Sequence, residues 1–295
     1  MKYKRTPSRI IFLVLAYAFL VLVGVACLAP LWHVLMGSIS NPTELNANRG
    51  LILWIKGEAD FTAYEAIAGY KRLWMGYRNT LLYIVAQCII TGVMTIMAGY
   101  IFSRKRFHYR NAFMMIITFS MLINGGMIPT YMVMRSIHLL DTPLALLLPG
   151  TLSVFNIMLM RTSMEGISDA LEDAARIDGA GEFVIMFKII LPLCKATFAV
   201  VMLFTIVNKW NEYMPALLYL PTKSELYPLQ MVLRDILISG SNNISTPNDA
   251  AGSVSLYQKS IEYATIIVST LPILCVYPFV QKYFVTGVTI GAVKS

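Results

Sequence analysis

Charged residues are scarce in this 295-residue chain: Asp, Glu, Lys and Arg together make up 14% of it, whereas hydrophobic residues make up 57%. Soluble domains typically carry about 25% charged residues, so a large soluble core is a poor interpretation of this composition. Several apolar runs approach the roughly 20 residues that a helix needs to cross a bilayer. We therefore predict an integral membrane protein with several spanning helices.

The motifs of common catalytic and nucleotide-binding sites are also missing. The sequence contains no Gly-x-x-x-x-Gly-Lys-[Ser/Thr] P-loop, no His-Glu-x-x-His zinc motif and no Cys-x-x-Cys pair. The three histidines are scattered, and the four cysteines are far apart in or beside apolar segments. We predict a non-catalytic chain that holds no metal or cofactor of its own and whose cysteines are free thiols.

Six apolar segments are predicted to span the membrane as helices, which makes the fold class all-α. The first follows a basic N-terminus, but it is too long for the apolar region of a signal peptide and shows no small-residue cleavage site. We therefore interpret it as a retained span. The six predicted spans are 9–36, 79–102, 112–134, 143–160, 196–220 and 263–284.

The distribution of charge predicts the orientation of these spans. With the N-terminus inside, the inner segments carry a net charge of +8, which equals the formal net charge of the whole chain, and the outer loops sum to zero. An excess of basic residues on the cytoplasmic side is the normal pattern for membrane proteins. Both termini and the loop 163–192 are then cytoplasmic, and the basic character of the chain requires no nucleic-acid partner.

The stretch Leu171–Pro192 is the longest charged interruption between two strongly apolar segments. Ser168 or Asp169 can cap a helix start, and Glu172 follows Asp169 at the spacing of a capping box. Gly179 is expected to end this helix, because glycine adopts turn conformations that other residues resist. A short helix of small residues with an acidic side, in a loop between two spans, indicates a segment that docks into a groove of another protein.

These residues resemble the EAA loop of ABC importer permeases, in the version typical of the carbohydrate branch. The resemblance is carried by Asp173-Ala174-Ala175, Asp178-Gly179-Ala180 and Ile190-Leu191-Pro192. Two positions depart from the usual pattern, since Asp173 stands in place of Glu and Ala196 in place of a second Pro. In that family the loop is a coupling helix that seats in the cytoplasmic ATPase subunit. The ATPase-coupling residues implied here are Glu172, Asp173, Ala174, Ala175, Asp178, Gly179 and Ala180.

Two further stretches, Gly126–Gly150 and Tyr277–Lys294, are similar to carbohydrate permeases that handle larger or polymeric glycans. The resemblance implies a type I ABC importer transmembrane fold, with an N-terminal segment 1–73, a transmembrane domain 74–284 and a cytoplasmic tail 285–295. It also implies a permease subunit of the bacterial cytoplasmic membrane that translocates an oligosaccharide. The implied partners are a second homologous permease, two P-loop ATPase subunits that hold ATP and Mg, and an extracytoplasmic solute-binding protein.

A polar group inside the fifth predicted span is the second candidate site. A charge inside a span costs about 2.5–3.5 kcal/mol on insertion scales, but Lys209 and Glu212 are three residues apart and can neutralise each other on one helix face. Either this pair is structural, or it lines a cavity where amides bind sugar hydroxyls and a Trp ring stacks on a pyranose. The candidate translocation-path residues are Asn208, Lys209, Trp210, Asn211, Glu212 and, from the Gly- and Pro-interrupted third span, Asn124.

Two other functions remain open from the sequence alone. A self-sufficient, ion-coupled secondary transporter would use Lys209 and Glu212 as an ion-responsive pair, and the purified chain would transport solute under an ion gradient. A membrane-embedded enzyme would be active in detergent without partners, although no clustered nucleophile or metal site encourages that interpretation.

Overall fold

The computed structural model describes residues 7–123, 125–239 and 253–292, and it describes side chains for 7–123, 125–238 and 256–275. Within those ranges the chain consists of helices and connecting loops, and it contains no β-strand. The predicted all-α class is confirmed for this part of the chain.

The helices differ widely in length, from short turns to one of 40 residues. In the order of the chain they are α1 (Pro7–Ile39), α2 (Pro42–Ala47), α3 (Thr62–Gly69), α4 (Lys71–Ser103), α5 (Arg110–Leu122), α6 (Met127–Ser136), α7 (Pro143–Leu147) with a 3₁₀ turn at Leu148–Gly150, α8 (Val154–Glu165), α9 (Asp169–Ile177), α10 (Glu182–Val184), a π-helical segment Ile185–Ile190, α11 (Leu191–Leu193), α12 (Lys195–Trp210), α13 (Met214–Tyr219), a 3₁₀ turn at Ser224–Leu226, α14 (Leu229–Ser239) and α15 (Ser253–Ala292).

Two of these helices, α1 and α4, are long and apolar enough to cross a bilayer by themselves. Three bent helix pairs pass the same test, so up to five spans are possible among the described residues: α5 with α6, Pro143–Gly150 with α8, and Glu182–Leu193 with α12. The predicted sixth span falls within α15, whose side chains from 276 onward lie outside the described residues. The number of six spans therefore stays a prediction.

The fourth and fifth predicted spans do not form single continuous helices. The fifth ends at Trp210, and a new helix begins at Met214 with Pro215 in its first turn. Proline has no N–H and cannot continue the hydrogen bonds of a preceding helix. A second bend, of 87°, separates Glu182–Leu193 from α12, and Pro192 lies in α11 just before it. The third span is interrupted before Gly126, as its glycines and proline suggested.

The chain divides into two compact units, of which the first comprises the described residues within Met1–Lys71 and Asp235–Leu271. The His33 ring accepts a hydrogen bond from the Ile52 N–H at 2.9 Å and lies 3.2 Å from the Tyr263 hydroxyl. The Trp32 indole N–H donates to the Leu53 carbonyl at 2.9 Å. These contacts tie α15 and the loop after α2 to the end of α1, whereas most of α1 exposes apolar side chains as a lipid-facing helix does.

The second unit comprises the described residues within Arg72–Arg234 and Pro272–Ser295, and α4 contributes to both of its core clusters. One cluster packs Ile96 of α4 against Met160 of α8 and Val201 of α12. The other packs Tyr83 of α4 with α7 and α13. Gly99 allows α4 and α8 to approach closely, because a Cβ at that position would lie 2.8 Å from the Met160 Cβ. Both candidate sites are built on this unit.

Candidate functional site

The predicted docking helix is present as α9, and local signals set both of its ends. The Ser168 hydroxyl accepts a hydrogen bond from the Ala170 N–H at 3.3 Å and caps the N-terminus. Gly179 adopts φ +84°, and the Ala180 N–H then reaches back to the Ala175 carbonyl at 2.9 Å. This αL glycine with a backward hydrogen bond is a common helix C-cap. The Asp178-Gly179-Ala180 sequence therefore stops the helix.

The predicted capping box is wrong. Ser168, and not Asp169, is the N-cap, so Glu172 lies one position too far along α9 for the reciprocal bond. Its side chain instead turns inward and is 2% exposed. The sequence allowed either Ser168 or Asp169 as the N-cap. Because Ser168 is the cap, Glu172 is free of the capping role and its side chain points into the protein.

Buried Glu172 joins α9 to the end of α4. The Arg104 Nε lies 2.8 Å from the Glu172 Oε1, in an ion pair whose N–H direction falls outside hydrogen-bond geometry. Arg176 pairs with the other oxygen at 3.3 Å, and the Tyr100 hydroxyl lies 3.4 Å from that oxygen. Arg104 also donates to the Met164 carbonyl at 3.2 Å, which fixes its own position. The carboxylate is thus held by two cations and a phenol from two helices.

Arg176 extends this network toward the surface. It pairs with Glu182 at 3.1 Å and with Asp173 at 3.2 Å. The hydrogen bond with Glu182 raises the pKa of Arg176 above its ordinary value, so the guanidinium is a permanent cation. The Tyr100 hydroxyl also donates to Glu182 at 2.9 Å. The network therefore holds α9, α10 and the end of α4 as one group.

The other side of α9 is exposed and makes a small, partly acidic surface. Of the predicted coupling residues, Asp173, Ala174, Asp178 and Gly179 are exposed, Ala180 is partly buried, and Glu172 and Ala175 are buried. Ile177, which is not among the predicted coupling residues, is 86% exposed at the tip of this surface. An apolar residue beside Asp178, at the end of a strongly amphipathic helix, was the signal that could have identified it.

The second candidate site is a polar cavity of about 290 Å³ within the second unit. Side chains from α4, α8 and α12 converge on it, together with the 3₁₀ turn before α8. Its lining residues are Gln87, Thr91, Gly150, Ser153, Phe155, Asn156, Phe204, Thr205, Asn208, Lys209 and Glu212.

Three of the predicted path residues, Asn208, Lys209 and Glu212, line this cavity. The Lys209 ammonium pairs with the Glu212 carboxylate, as their spacing predicted, and it also donates to the Leu146 carbonyl at 2.6 Å. Lys209 is 7% exposed. Its positive charge is therefore compensated inside the protein.

The other predicted path residues lie elsewhere. The Trp210 ring is buried with its centroid 6.3 Å from that of Tyr77, and the Asn211 amide donates to the Val207 carbonyl of its own helix at 2.8 Å. Neither lines the cavity, since each further residue along a helix rotates by about 100° around its axis. Asn124 lies outside the described residues.

Several lining residues were missed by the sequence analysis. Gln87 and Thr91 are four residues apart on α4, and Asn156 lies in the first turn of α8. All three are buried polar residues within predicted spans. Polar side chains in a span are costly unless they find partners, so this pattern was the available signal.

Apolar helices of membrane-spanning length, with a polar cavity among those of the second unit, are typical of a membrane transport protein. This chain belongs to the family of binding-protein-dependent transport system inner membrane components, whose profile matches residues 91–290. It is a permease component of an ABC importer, and the comparisons lend no support to the secondary-transporter alternative.

Relatives match over nearly the whole chain. A polygalacturonan/rhamnogalacturonan transport system permease protein, YtcP of Bacillus subtilis (strain 168), is 34% identical over 97% of this chain and 99% of its own length. Protein LplC of the same organism is 35% identical over 98% of this chain and 97% of its own length. A crystal structure of a bacterial ABC transporter involved in the import of the acidic polysaccharide alginate matches with a TM-score of 0.85 and 31% identity, over 96% of this chain and 100% of that one. The predicted resemblance and the type I permease fold are confirmed.

Proposed function

We propose that this chain is one of two permease subunits in an ATP-driven importer of oligosaccharides, and that energy reaches it through α9. The observation that supports the coupling role most strongly is the two-sided nature of this helix. One side is fastened to α4 by Arg104 and buried Glu172, and the other side exposes Asp173, Ala174 and Ile177. A helix that is rigidly attached on one side and free on the other suits the transfer of motion from a partner.

The proposed topology has six spans with both termini in the cytoplasm of a bacterial cell. It comprises an N-terminal segment 1–73, a transmembrane domain 74–284 and a tail 285–295. The net charge of +8 on the proposed inner side supports this orientation. The same topology places α9 and its surroundings, within 163–192, on the cytoplasmic side.

In the proposed complex, two P-loop ATPase subunits bind ATP and Mg, and an extracytoplasmic binding protein delivers the solute. This chain is non-catalytic and contributes the helix that the ATPase moves. Closure of the ATPase pair displaces α9, and the network of Arg104, Glu172 and Arg176 transmits the displacement to α4 because these charges are buried and mutually paired. A second, homologous permease completes the path.

The proposed solute is an oligosaccharide. One relative is named for polygalacturonan and rhamnogalacturonan, and the similar structure for the acidic polysaccharide alginate. We propose that the cavity lined by Asn208, Lys209 and Glu212 is part of the translocation path. Trp210 and Asn211 then act as packing residues at the end of α12.

The test is affinity capture of the tagged chain from membranes, comparing wild type with Ala174→Trp. The bulky ring would cover the exposed face of α9, while Trp remains compatible with helical backbone. We expect wild type to capture a P-loop ATPase and a second permease, and the variant to lose the ATPase alone. A matched control is Ser136→Trp, at an exposed position at the end of α6.

Two results would contradict the proposal. Wild type captured without any ATPase, and still transporting solute in liposomes, would remove the ATP-driven mechanism. An Ala174→Trp variant that retains the ATPase and normal uptake would place the coupling surface elsewhere.

A further inference from the structure

A buried amide oxygen without a donor is the feature that leads to this inference. Gln87 is 2% exposed and lines the cavity, and its Nε2 donates to the Thr91 hydroxyl at 3.0 Å. Its Oε1 has no hydrogen-bond partner among the described residues. Buried acceptors are normally satisfied, and an exception inside a cavity points to a donor that a bound molecule supplies.

The orientation of this amide follows from its neighbours. The Thr91 hydroxyl donates its single proton to the Thr151 carbonyl at 3.0 Å, so it can only accept from Gln87. Rotating the amide by half a turn would bring two acceptors together. The unpartnered group at this position is therefore a buried carbonyl oxygen, which accepts a hydrogen bond from a hydroxyl and repels a carboxylate.

The cavity also lacks a cation that is available to an acidic solute. Among the described residues that line it, Lys209 is the one cation, and it is held by Glu212 and by the Leu146 carbonyl. A solute carboxylate would enter beside an anion with no uncompensated positive charge to receive it. Buried charges are unfavourable without such a partner, so the cavity disfavours uronate groups.

The remaining lining groups suit an uncharged sugar ring. The Asn156 amide is 6% exposed and makes no hydrogen bond within the described part of the chain, and Asn208 is exposed. Both amides offer a donor and an acceptor to hydroxyl groups. The rings of Phe155 and Phe204 lie 6.0 Å apart and both line the cavity, so they provide apolar surface for C–H groups. The volume is at the lower end of small-molecule sites and fits a short segment of a glycan rather than a long one.

We propose that this cavity is a binding subsite for an uncharged, hydroxyl-bearing glycosyl unit, in which the Gln87 Oε1 accepts a hydroxyl proton. Asn156 and Asn208 bind neighbouring hydroxyls, and the locked Lys209 excludes carboxylates. The biological meaning of this subsite rests on the proposed import of oligosaccharides. It differs from what the name of the alginate importer would suggest for this chain, because that name refers to an acidic substrate.

The test measures protection of a thiol placed in the cavity. Gly150→Cys is the reporter, because Gly150 lines the cavity and a Cβ there meets nothing within 4 Å. The four native cysteines are replaced by alanine, and the rate of maleimide labelling is followed in membranes that contain the full complex, without ATP. The probes are two neutral trisaccharides, maltotriose and arabinotriose, and one acidic trisaccharide, trigalacturonate.

We expect at least one neutral probe to slow labelling, and trigalacturonate to have no effect at the same concentration. Gln87→Leu should weaken protection by the neutral probe about 3- to 10-fold, the value of one neutral hydrogen bond. The matched control is Thr95→Val, because Thr95 is a second buried, unpartnered polar residue on α4 but does not line the cavity. This control should leave protection unchanged.

Three outcomes would overturn the subsite: stronger protection by trigalacturonate, no protection by any probe, or equal protection in the Gln87→Leu variant. Since labelling needs no ATP, these outcomes leave the ATP-driven import mechanism untouched. Conversely, suppose that a neutral probe protects the Gly150→Cys thiol but the chain captures no ATPase. The proposed function would then be overturned, whereas the subsite would be supported.

Discussion

Two ion pairs in the described part of the second unit differ in what they connect. Arg104 directly follows α4, whereas Glu172 lies on α9, and their side chains are 9% and 3% exposed. Lys209 and Glu212 are three residues apart at the end of one helix, and their side chains are 7% and 31% exposed. The first pair fastens α9, the proposed docking helix, to the end of α4, whereas the second neutralises a cation that lines a cavity.

The comparison shows that an ion pair can either hold two helices together or set the charge of a cavity. A pair between elements resists relative movement, because separating the charges would leave each one buried and unpaired. An ion pair between near neighbours in the sequence, such as Lys209 and Glu212, does not hold two distant helices together. It does determine the net charge of the cavity that both residues line. The Arg104–Glu172 pair is thus suited to transmit motion, and the Lys209–Glu212 pair to select solutes.

The largest effect is expected from breaking the first pair. Arg104→Met would leave buried Glu172 with Arg176 as its remaining cation. It should destabilise the protein by about 3 kcal/mol, the lower end of the range for a buried charge that loses its partner, because Arg176 still compensates part of the charge. Thermal unfolding of the purified complex measures this effect, and ATP-driven uptake should fall with it.

The matched control for this prediction is Lys105→Met. Lys105 is the next residue, is 80% exposed, and lies 4.0 Å from Asp169. Exposed pairs of this kind contribute about 0–1 kcal/mol. If the two variants unfold at the same temperature, the pair does not fasten α9 to α4, and the comparison fails.

A smaller effect is expected from breaking the second pair. Lys209→Met leaves Glu212 unpaired, but that carboxylate is 31% exposed, so the cost should be about 1–3 kcal/mol. Uptake should fall strongly even though the loss of stability is modest, because the cavity becomes net negative. The double variant Lys209→Met with Glu212→Gln removes both charges and should recover much of the uptake. Failure of this recovery would show that Lys209 has a role beyond neutralising Glu212.

A further prediction concerns the end of the docking helix. Gly179→Ala should cost about 1 kcal/mol through backbone strain alone, since Gly179 adopts φ +84° and a Cβ there meets nothing within 4 Å. ATPase capture should weaken several-fold as the end of α9 frays. Gly181→Ala is the matched control, because Gly181 has φ −75° and the same open surroundings. Equal capture by both variants would mean that the glycine turn does not shape the docking surface.

The sequence predicted the features that depend on near neighbours. A cap at Ser168 or Asp169, the stop at Gly179 and the Lys209–Glu212 pair all involve residues within one or two helical turns, where spacing determines geometry. The family resemblance then supplied the fold and the coupling loop. The capping box failed because two adjacent residues could serve as the cap, and only packing against Arg104 separates them.

The features that the sequence did not predict depend on which faces of distant helices meet. Gln87 and Asn156 are almost seventy residues apart, and nothing local indicates that α4 and α8 turn them toward the same cavity as Asn208. Trp210 shows the converse error, since it is next to Lys209 in sequence but packs on the other side of α12. The continuous apolar run 196–220 predicted one span, although Pro215 within it begins a new helix.

The smallest expected effect is a change in stability with pH that involves the cavity region and not α9. Asp141 ties the start of α7 to the segment after α13: its carboxylate accepts the Thr222 N–H at 3.0 Å, and its own N–H donates to the Tyr219 carbonyl at 2.7 Å. α7 carries the Leu146 carbonyl that binds Lys209, so this clasp supports the cavity and not α9.

The backbone N–H of Thr222 lowers the pKa of Asp141 below its ordinary value of 3.8. A lowered pKa in the folded state gives stability that is fully present above the ordinary pKa and is lost as the pH falls through the folded value. Asp141→Asn keeps the backbone conformation accessible, because Asn also tolerates the φ of 57° at this position. The variant should therefore unfold at a slightly lower temperature than wild type at neutral pH, and the two should converge in strong acid. A constant difference at every pH would show that the carboxylate charge contributes nothing, while an acid-dependent loss of ATPase capture would show that α9 and the cavity are not independent.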